Sequence, residues 1–127
     1  PMTAHVDDDH GPIWFFGALD SEMAKRLTHP QRATAHFSAK SHELFAVVHG
    51  WLQIDNDPVV IDRLWNRFVA AWYEHGKDDP NLALFRLDPQ RAEIWENGSS
   101  LLAGVKLLLG VDPKEDYRDK VAEVRLD

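Results

Sequence analysis

Gly11-Pro12-Ile13-Trp14-Phe15-Phe16-Gly17-Ala18-Leu19-Asp20-Ser21-Glu22-Met23-Ala24-Lys25-Arg26-Leu27 is the stretch from which the rest of the chain is read. Ile13 to Phe16 carry no polar side chain, which predicts a strand buried on both faces. Asp20 and Ser21 follow, two residue types that cap helix N-termini well. Met23 and Leu27 are then one helical turn apart, with Glu22, Lys25 and Arg26 left for solvent. The pattern predicts a helix over about residues 21–29, stopped by Pro30. A strand running into a capped helix aims backbone N–H groups and a serine hydroxyl at one spot, which suits an anion such as phosphate. The commoner meaning of such a junction is a local cap.

Outward from this stretch the chain reads as short strands with helices between them. Met2, Ala4 and Val6 alternate, and residues 7–11 turn that strand back into residues 13–18 as a hairpin. Residues 31–37 alternate as a further arm, with Ala33, Ala35 and Phe37 on one face. Residues 43–55 give the longest strand signal: Leu44, Ala46, Val48, Leu52 and Ile54 share one face, and Phe45, Val47, His49, Trp51 and Gln53 the other. The second face is too aromatic to be simply wet, which predicts another layer or another subunit there. Gly50, in the middle, marks a bend, a bulge or a close backbone approach.

Asp57-Pro58 opens a helix with a cap and then proline at the first position. Ile61, Leu64, Trp65, Phe68, Ala71 and Trp72 make a stripe that predicts one helix to about Glu74, with Trp65 and Trp72 packed on the same face of the core. Leu82 to Leu87 and Ala92 to Glu96 read as a hairpin around Asp88-Pro89-Gln90. Ser99 or Ser100 caps a last helix with Leu101, Leu102, Val105, Leu108 and Leu109 on its apolar side, closed by Gly110. The tail from Asp112 is charged, with weak periodicity at Val121 and Val124. About six strands with inserted helices make an α+β, mainly β pattern, and a long strand bent at glycine suits a small barrel.

The 127 residues fit one domain, 1–127. There is no cysteine, which excludes disulfides, thiolate catalysis and cysteine-ligated metal, and suits a reducing cytoplasm. A net charge of −7 with no basic run argues against nucleic acid and anionic membranes as partners. No apolar run is long enough to span a bilayer. Five Trp and six Phe are a surplus for this length, consistent with a large core, a dimer interface or a planar ligand.

Several pieces together resemble a known family. They are Pro1-Met2-Thr3, Gly11-x-Ile13-Trp14-Phe15-Phe16 leading to Asp20-Ser21-Glu22, Pro30, Phe37 and Val47-Val48-His49-Gly50. Leu64-Trp65 to Ala71-Trp72-Tyr73, Gly76-Lys77-Asp78-Asp79-Pro80 and Ala92-Glu93-Ile94-Trp95 complete the set. In order and spacing they resemble the general stress protein branch of the pyridoxamine 5'-phosphate oxidase-like FMN-binding split barrels. The resemblance implies a split β-barrel of about six antiparallel strands with peripheral helices, in a homodimer with FMN at the subunit interface. It also implies that the family's first helix and strand lie upstream of Pro1. By position, Phe15, Phe16 and Gly17 would border the flavin, Met2 and Thr3 would lie along its ring edge, and Ser21 would face its phosphate. Trp95 matches a tryptophan placed at the site from the partner subunit. The family's junction lysine is replaced by Met23, and its hydroxyl residue after the two aromatics by Gly17. Phe45 stands near where the oxidases have a cofactor-gripping glutamine. Lys25, one turn beyond Ser21, and the adjoining Arg26 are the candidate replacements for the missing lysine at the phosphate.

Other constellations carry less. Asp7-Asp8-Asp9-His10 with His5 is metal-like in composition but reads as a solvated turn, so no metal is expected. Ser41-His42-Glu43 contains the residue types of a nucleophilic triad, but neighbours on a strand point to opposite faces. Two functions follow: an FMN-binding oxidoreductase, or a dimeric binding or scaffold protein that kept the barrel and lost or weakened the flavin. A different planar phosphorylated ligand, such as a deazaflavin or a pyridoxal-type vitamer, is the third.

Overall fold

The computed structural model describes residues 2–7, 11–96 and 121–125. Its strands are β1 (Ala4–Val6), β2 (Ile13–Ala18), β3 (Gln31–Ser38), β4 (Leu44–Ile54), β5 (Leu82–Glu96) and β6 (Val121–Arg125). Its helices are α1 (Glu22–Arg26), α2 (Pro58–Leu64) and α3 (Arg67–Ala70), with a 3-10 turn at Gly76–Asp78. The hydrogen-bonded order is β1-β2-β5-β4-β3, and β6 also pairs with β5. The β1–β2, β2–β5 and β5–β6 pairs are antiparallel. The chain divides into two compact units, Pro1–Ala33 with Gly50–Pro89, and Thr34–His49 with Gln90–Asp127.

In the first unit, β2 pairs with β5 from Ile13 opposite Leu87 to Ala18 opposite Leu82. Trp14 and Phe15 are 5% and 8% exposed, so both faces of β2 are closed, as its apolar run predicts. Trp14 packs with Val60 and Ile61 of α2 and with Leu82 and Leu84 of β5; Phe16, Leu64, Trp65 and Tyr73 surround that cluster. Phe15 lies opposite Phe85. The Phe85 ring fills the space where a side chain on Gly17 would stand. That accounts for glycine here in place of a hydroxyl residue.

Two further devices seat β5. A methyl group on Gly50 would overlap the Asp88 carbonyl, so β4 meets β5 there backbone to backbone. Just past the end of β4, the Asn56 side chain accepts from the Leu84 N–H at 2.7 Å and donates to the Leu82 carbonyl at 2.9 Å. It substitutes for a strand partner, next to the Asp55 N–H that donates to the Leu84 carbonyl at 2.8 Å.

The helices are shorter than the sequence predicts. α1 stops at Arg26, where the Leu27 N–H turns back to the Ala24 carbonyl, and it buries Ala24 rather than Met23. The Asp57 cap and Pro58 open α2 as expected, with the Val59 N–H on Asp57 at 2.9 Å. The single helix predicted to about Glu74 is instead broken after Leu64. Asn66 takes a cap position and accepts from the N–H groups of Phe68 and Val69, both at 2.9 Å. Asn competes with the helix ladder by bonding nearby N–H groups, and here it starts a new helix. Trp65 therefore packs inward while Trp72 is 85% exposed, so the two tryptophans do not share a core face.

The hairpin predicted around Asp88-Pro89-Gln90 is also corrected: β5 runs without a turn from Leu82 to Glu96. The turn-like composition is carried inside a strand because Gly50 lets the Asp88–Pro89 backbone pass close by.

In the second unit, Val48 and Ala92 are buried, and the Thr34 hydroxyl meets His49 Nδ1 at 3.1 Å. His49 Nε2 lies 3.9 Å from the Glu93 carboxylate. Leu44 and Phe45 are exposed. β6 pairs Val121 with Trp95 and Arg125 with Arg91, so the weak periodicity of the charged tail belongs to a strand. The last helix predicted over residues 99–110 lies outside the described residues.

Two substitutions test this packing. Gly50→Ala forces the β4 and β5 backbones apart and is expected to cost about 3 kcal/mol of stability in urea unfolding. Asn56→Ala leaves two groups of buried β5 without partners and is expected to cost about 1–3 kcal/mol by the same measurement.

Candidate functional site

The end of β2 is both a core strand and the edge of a cleft of about 610 Å³ in the first unit. Phe16, Gly17 and Ala18 contribute from β2, and Met2, Thr3 and His5 from the chain around β1. Asn66, Phe68, Val69, Trp72 and Tyr73 contribute from α3 and the residues beside it, and Asp79 and Asn81 from the loop before β5.

Its aromatic residues are ordered by one another. Phe16 meets His5, Trp65 and Tyr73 edge-on at centroid distances of 5.5, 6.1 and 6.2 Å. Trp65 and Tyr73 lie 5.8 Å apart, their planes tilted by 31°. Edge-to-face contacts at these distances are the favoured geometry of ring quadrupoles. The Tyr73 hydroxyl donates to the Gly17 carbonyl at 2.8 Å and so ties the chain after α3 to the end of β2. Burial, with the Asp79 charge adding to it, pushes the Tyr73 pKa up to about 12, so this donor keeps its proton at neutral pH.

Asp79 is held the other way. The Asn81 and His75 N–H groups donate to its carboxylate at 2.9 and 3.2 Å and keep it below the usual carboxylate range. The Asn81 side chain in turn accepts from the Asp20 N–H at 3.0 Å. The loop before β5 is thus tied to the junction that follows β2.

Phe68 and Trp72 remain 67% and 85% exposed although both line the cleft. Their exposure follows from the Asn66 cap, which breaks the helical stripe and turns these rings away from the core. The Arg67 guanidinium lies over the Phe68 ring, 4.8 Å from its centroid.

The structure gathers four of the eight residues named from the resemblance: Met2, Thr3, Phe16 and Gly17 line the cleft. The other four lie elsewhere. Phe15 is buried opposite β5. The Ser21 hydroxyl donates to the Ala18 carbonyl at 2.7 Å and accepts from the Ala24 N–H at 3.2 Å, so it serves as the local cap. Lys25 is exposed and stands 3.8 Å from the Glu22 carboxylate. Trp95 is on β5 in the second unit, opposite Val121. Phe68 and Trp72 were legible only as helix core and Tyr73 only as part of the resemblance, and Asn66, a good capping residue inside an apolar stripe, was the signal that the stripe is interrupted.

Comparison with known proteins gives this geometry its context. Residues 1–117 match the family described as pyridoxamine 5'-phosphate oxidase like. The chain is 26% identical to General stress protein 26 of Bacillus subtilis over 65 residues, which cover 51% of this chain and 46% of that protein. A general stress family protein from Xanthomonas campestris pv. campestris superposes with a TM-score of 0.73 at 55% identity, covering 79% of this chain and 75% of the other. The general stress FMN/FAD binding protein of Xanthomonas citri gives 0.74 at 53% identity, covering 79% and 71%. A general stress protein 26 from Jannaschia sp. gives 0.73 at 26% identity, covering 98% and 81%. The chain therefore belongs to the pyridoxamine 5'-phosphate oxidase-like family, with the split-barrel fold of its general stress proteins.

Proposed function

We propose that this protein binds FMN and acts as a flavin-dependent oxidoreductase, with the flavin at the interface of a homodimer. One observation carries the reading: Met2, Thr3, Phe16 and Gly17, assigned to the flavin ring by resemblance, come together on one aromatic cleft. Its volume is within the range of small-molecule and cofactor sites, and its largely apolar lining with a few polar groups suits a planar ring. The similarity to the FMN/FAD binding protein of Xanthomonas citri supports the same ligand.

A bound flavin would supply hydride or electron transfer, leaving the chain to bind, orient and shield it. Met2, Thr3, Phe16 and Gly17 would border the ring, and the buried Phe15 would back the strand that carries them. Tyr73 keeps the Gly17 carbonyl from turning, and Phe68 and Trp72 are open to stack on a ligand face. In the resemblance Ser21 faces the phosphate and Trp95 reaches the site of the other subunit, with Lys25 or Arg26 standing in for the family's lysine. The second reading is a dimeric scaffold without flavin. It is favoured by Met23 in place of the family's lysine and by a Ser21 hydroxyl already engaged with Ala18 and Ala24.

Titration with FMN is expected to quench flavin fluorescence and raise the melting temperature through linkage of binding to stability. Trp72→Ala, at a position that contributes little to the core, is expected to weaken FMN by about tenfold while leaving the melting temperature of the free protein nearly unchanged. Absence of any response to a large excess of FMN selects the scaffold reading.

The dimer is tested separately. Leu44 and Phe45 leave apolar surface on β4, and light scattering at micromolar concentration is expected to give twice the 14.5 kDa chain mass. A mass of one chain removes the interface site.

A further inference from the structure

Resting on the flavin reading and deepening it, we propose that His5 in its protonated form donates a hydrogen bond to the polar edge of a flavin ring seated in the cleft, and so makes the affinity for that ring depend on pH. His5 lines the cleft, as does Thr3 two residues before it. Its ring meets Phe16 edge-on at 5.5 Å, and its partner across the β1–β2 pair is the buried Trp14. These neighbours hold the ring by packing and take none of its hydrogen-bonding capacity. Among the described residues neither nitrogen of His5 has a hydrogen-bond partner, so both are open to a ligand.

Three side chains of the lining can gain or lose a proton: His5, Tyr73 and Asp79. Tyr73 spends its proton on the Gly17 carbonyl, and burial holds its pKa at about 12. Asp79 is kept anionic by the N–H groups of Asn81 and His75. That leaves the imidazole, the side-chain type that changes charge in the neutral range. The charges on the elements around it are engaged or face solvent. Arg63 of α2 pairs with Asp7 just beyond β1, and Asp62 of α2 pairs with Lys77 of the 3-10 turn. Arg67 of α3 lies over the Phe68 ring, His75 and Asp78 are exposed, and β2 carries no charged side chain.

A flavin ring presents carbonyl oxygens and ring nitrogens as acceptors along its polar edge. An imidazolium donates to such an acceptor with the assistance of its charge, and that bond is stronger than the one a neutral imidazole makes. Protonation of His5 therefore tightens the contact, and affinity falls as pH rises through the titration of the imidazole.

Riboflavin is the probe, because the phosphate of FMN titrates in the same range. Its Kd is measured by fluorescence quenching between about pH 5 and about pH 8 for wild type and for His5→Gln, which keeps hydrogen-bonding groups but does not titrate. Wild type is expected to bind about fivefold tighter at the acid end than at the alkaline end. His5→Gln is expected to vary less than about twofold over the same range. His5→Asn, shorter and equally unable to titrate, is expected to give the same flat profile, so the result does not rest on the folding of one variant. A wild-type affinity that is flat or rises with pH overturns the assignment while the flavin reading stands, and so does a His5→Gln profile with the wild-type slope. Binding of FMN without measurable binding of riboflavin also overturns it, because the ring then contributes too little for a contact of this strength. A wild type that binds neither flavin at any pH overturns the flavin reading, and this assignment with it.

Discussion

Leu82, Ala83, Leu84, Phe85 and Leu87 are at most 2% exposed, and no other segment of the described chain is so fully enclosed. A strand closed on both faces needs partners along both edges and packing above and below, because its N–H and C=O groups cannot turn to water. The first unit meets that need from widely separated parts of the sequence. β2 supplies one edge, β4 the other, and Asn56 continues that edge past the point where β4 ends. Gly17 and Gly50 contribute by lacking a side chain: one leaves room for the Phe85 ring, the other for the Asp88 carbonyl. The enclosed strand thus dictates which residues beside it must be small, which must be amide and which may be large.

The cleft is a by-product of the same demand. α2 covers the Trp14 side of the sheet with Val60 and Ile61, and a straight continuation would have put Phe68 and Trp72 on that cover too. Asn66 ends the arrangement after one further residue, Trp65, has packed inward. The next two large rings are left at an opening where the end of β2 has a backbone carbonyl to offer and Tyr73 takes it. One capping amide therefore separates core aromatics from cleft aromatics in a run whose spacing alone makes them equivalent.

How much of this was legible follows from where the physics is local. The two-sided burial of β2, the span of β4, the Asp57-Pro58 helix start and the close approach at Gly50 were readable because each depends on a residue and its near neighbours. The hairpin expected at Asp88-Pro89-Gln90 failed because turn-forming composition is also compatible with an extended strand when a glycine 38 positions earlier in the chain makes room. The helical stripe failed because periodicity counts apolar positions and is blind to a side chain that competes for the backbone. β6 was hidden because its partner, β5 beyond residue 90, was expected to close a hairpin of its own. Of the cleft, the part on β2 and β1 came from resemblance, while the roles of Tyr73, Asp79 and Asn81 rest on hydrogen bonds that no pattern in the sequence displays.

The β2–β5 register has a consequence for how the molecule is made. Ala18 meets Leu82, and Ile13 meets Leu87, across half the chain or more. Closing so long a loop costs entropy before any pairing repays it, and contacts of this span slow folding. During synthesis Trp14, Phe15 and Phe16 emerge early, but the strand that shields them comes only after α2 and the residues of the cleft. A chain halted before Leu82 holds an apolar run without the strand it pairs and packs with, the kind of segment that associates with other chains. Ordering of the binding region and protection of the nascent chain from aggregation therefore await the same event, the arrival of β5.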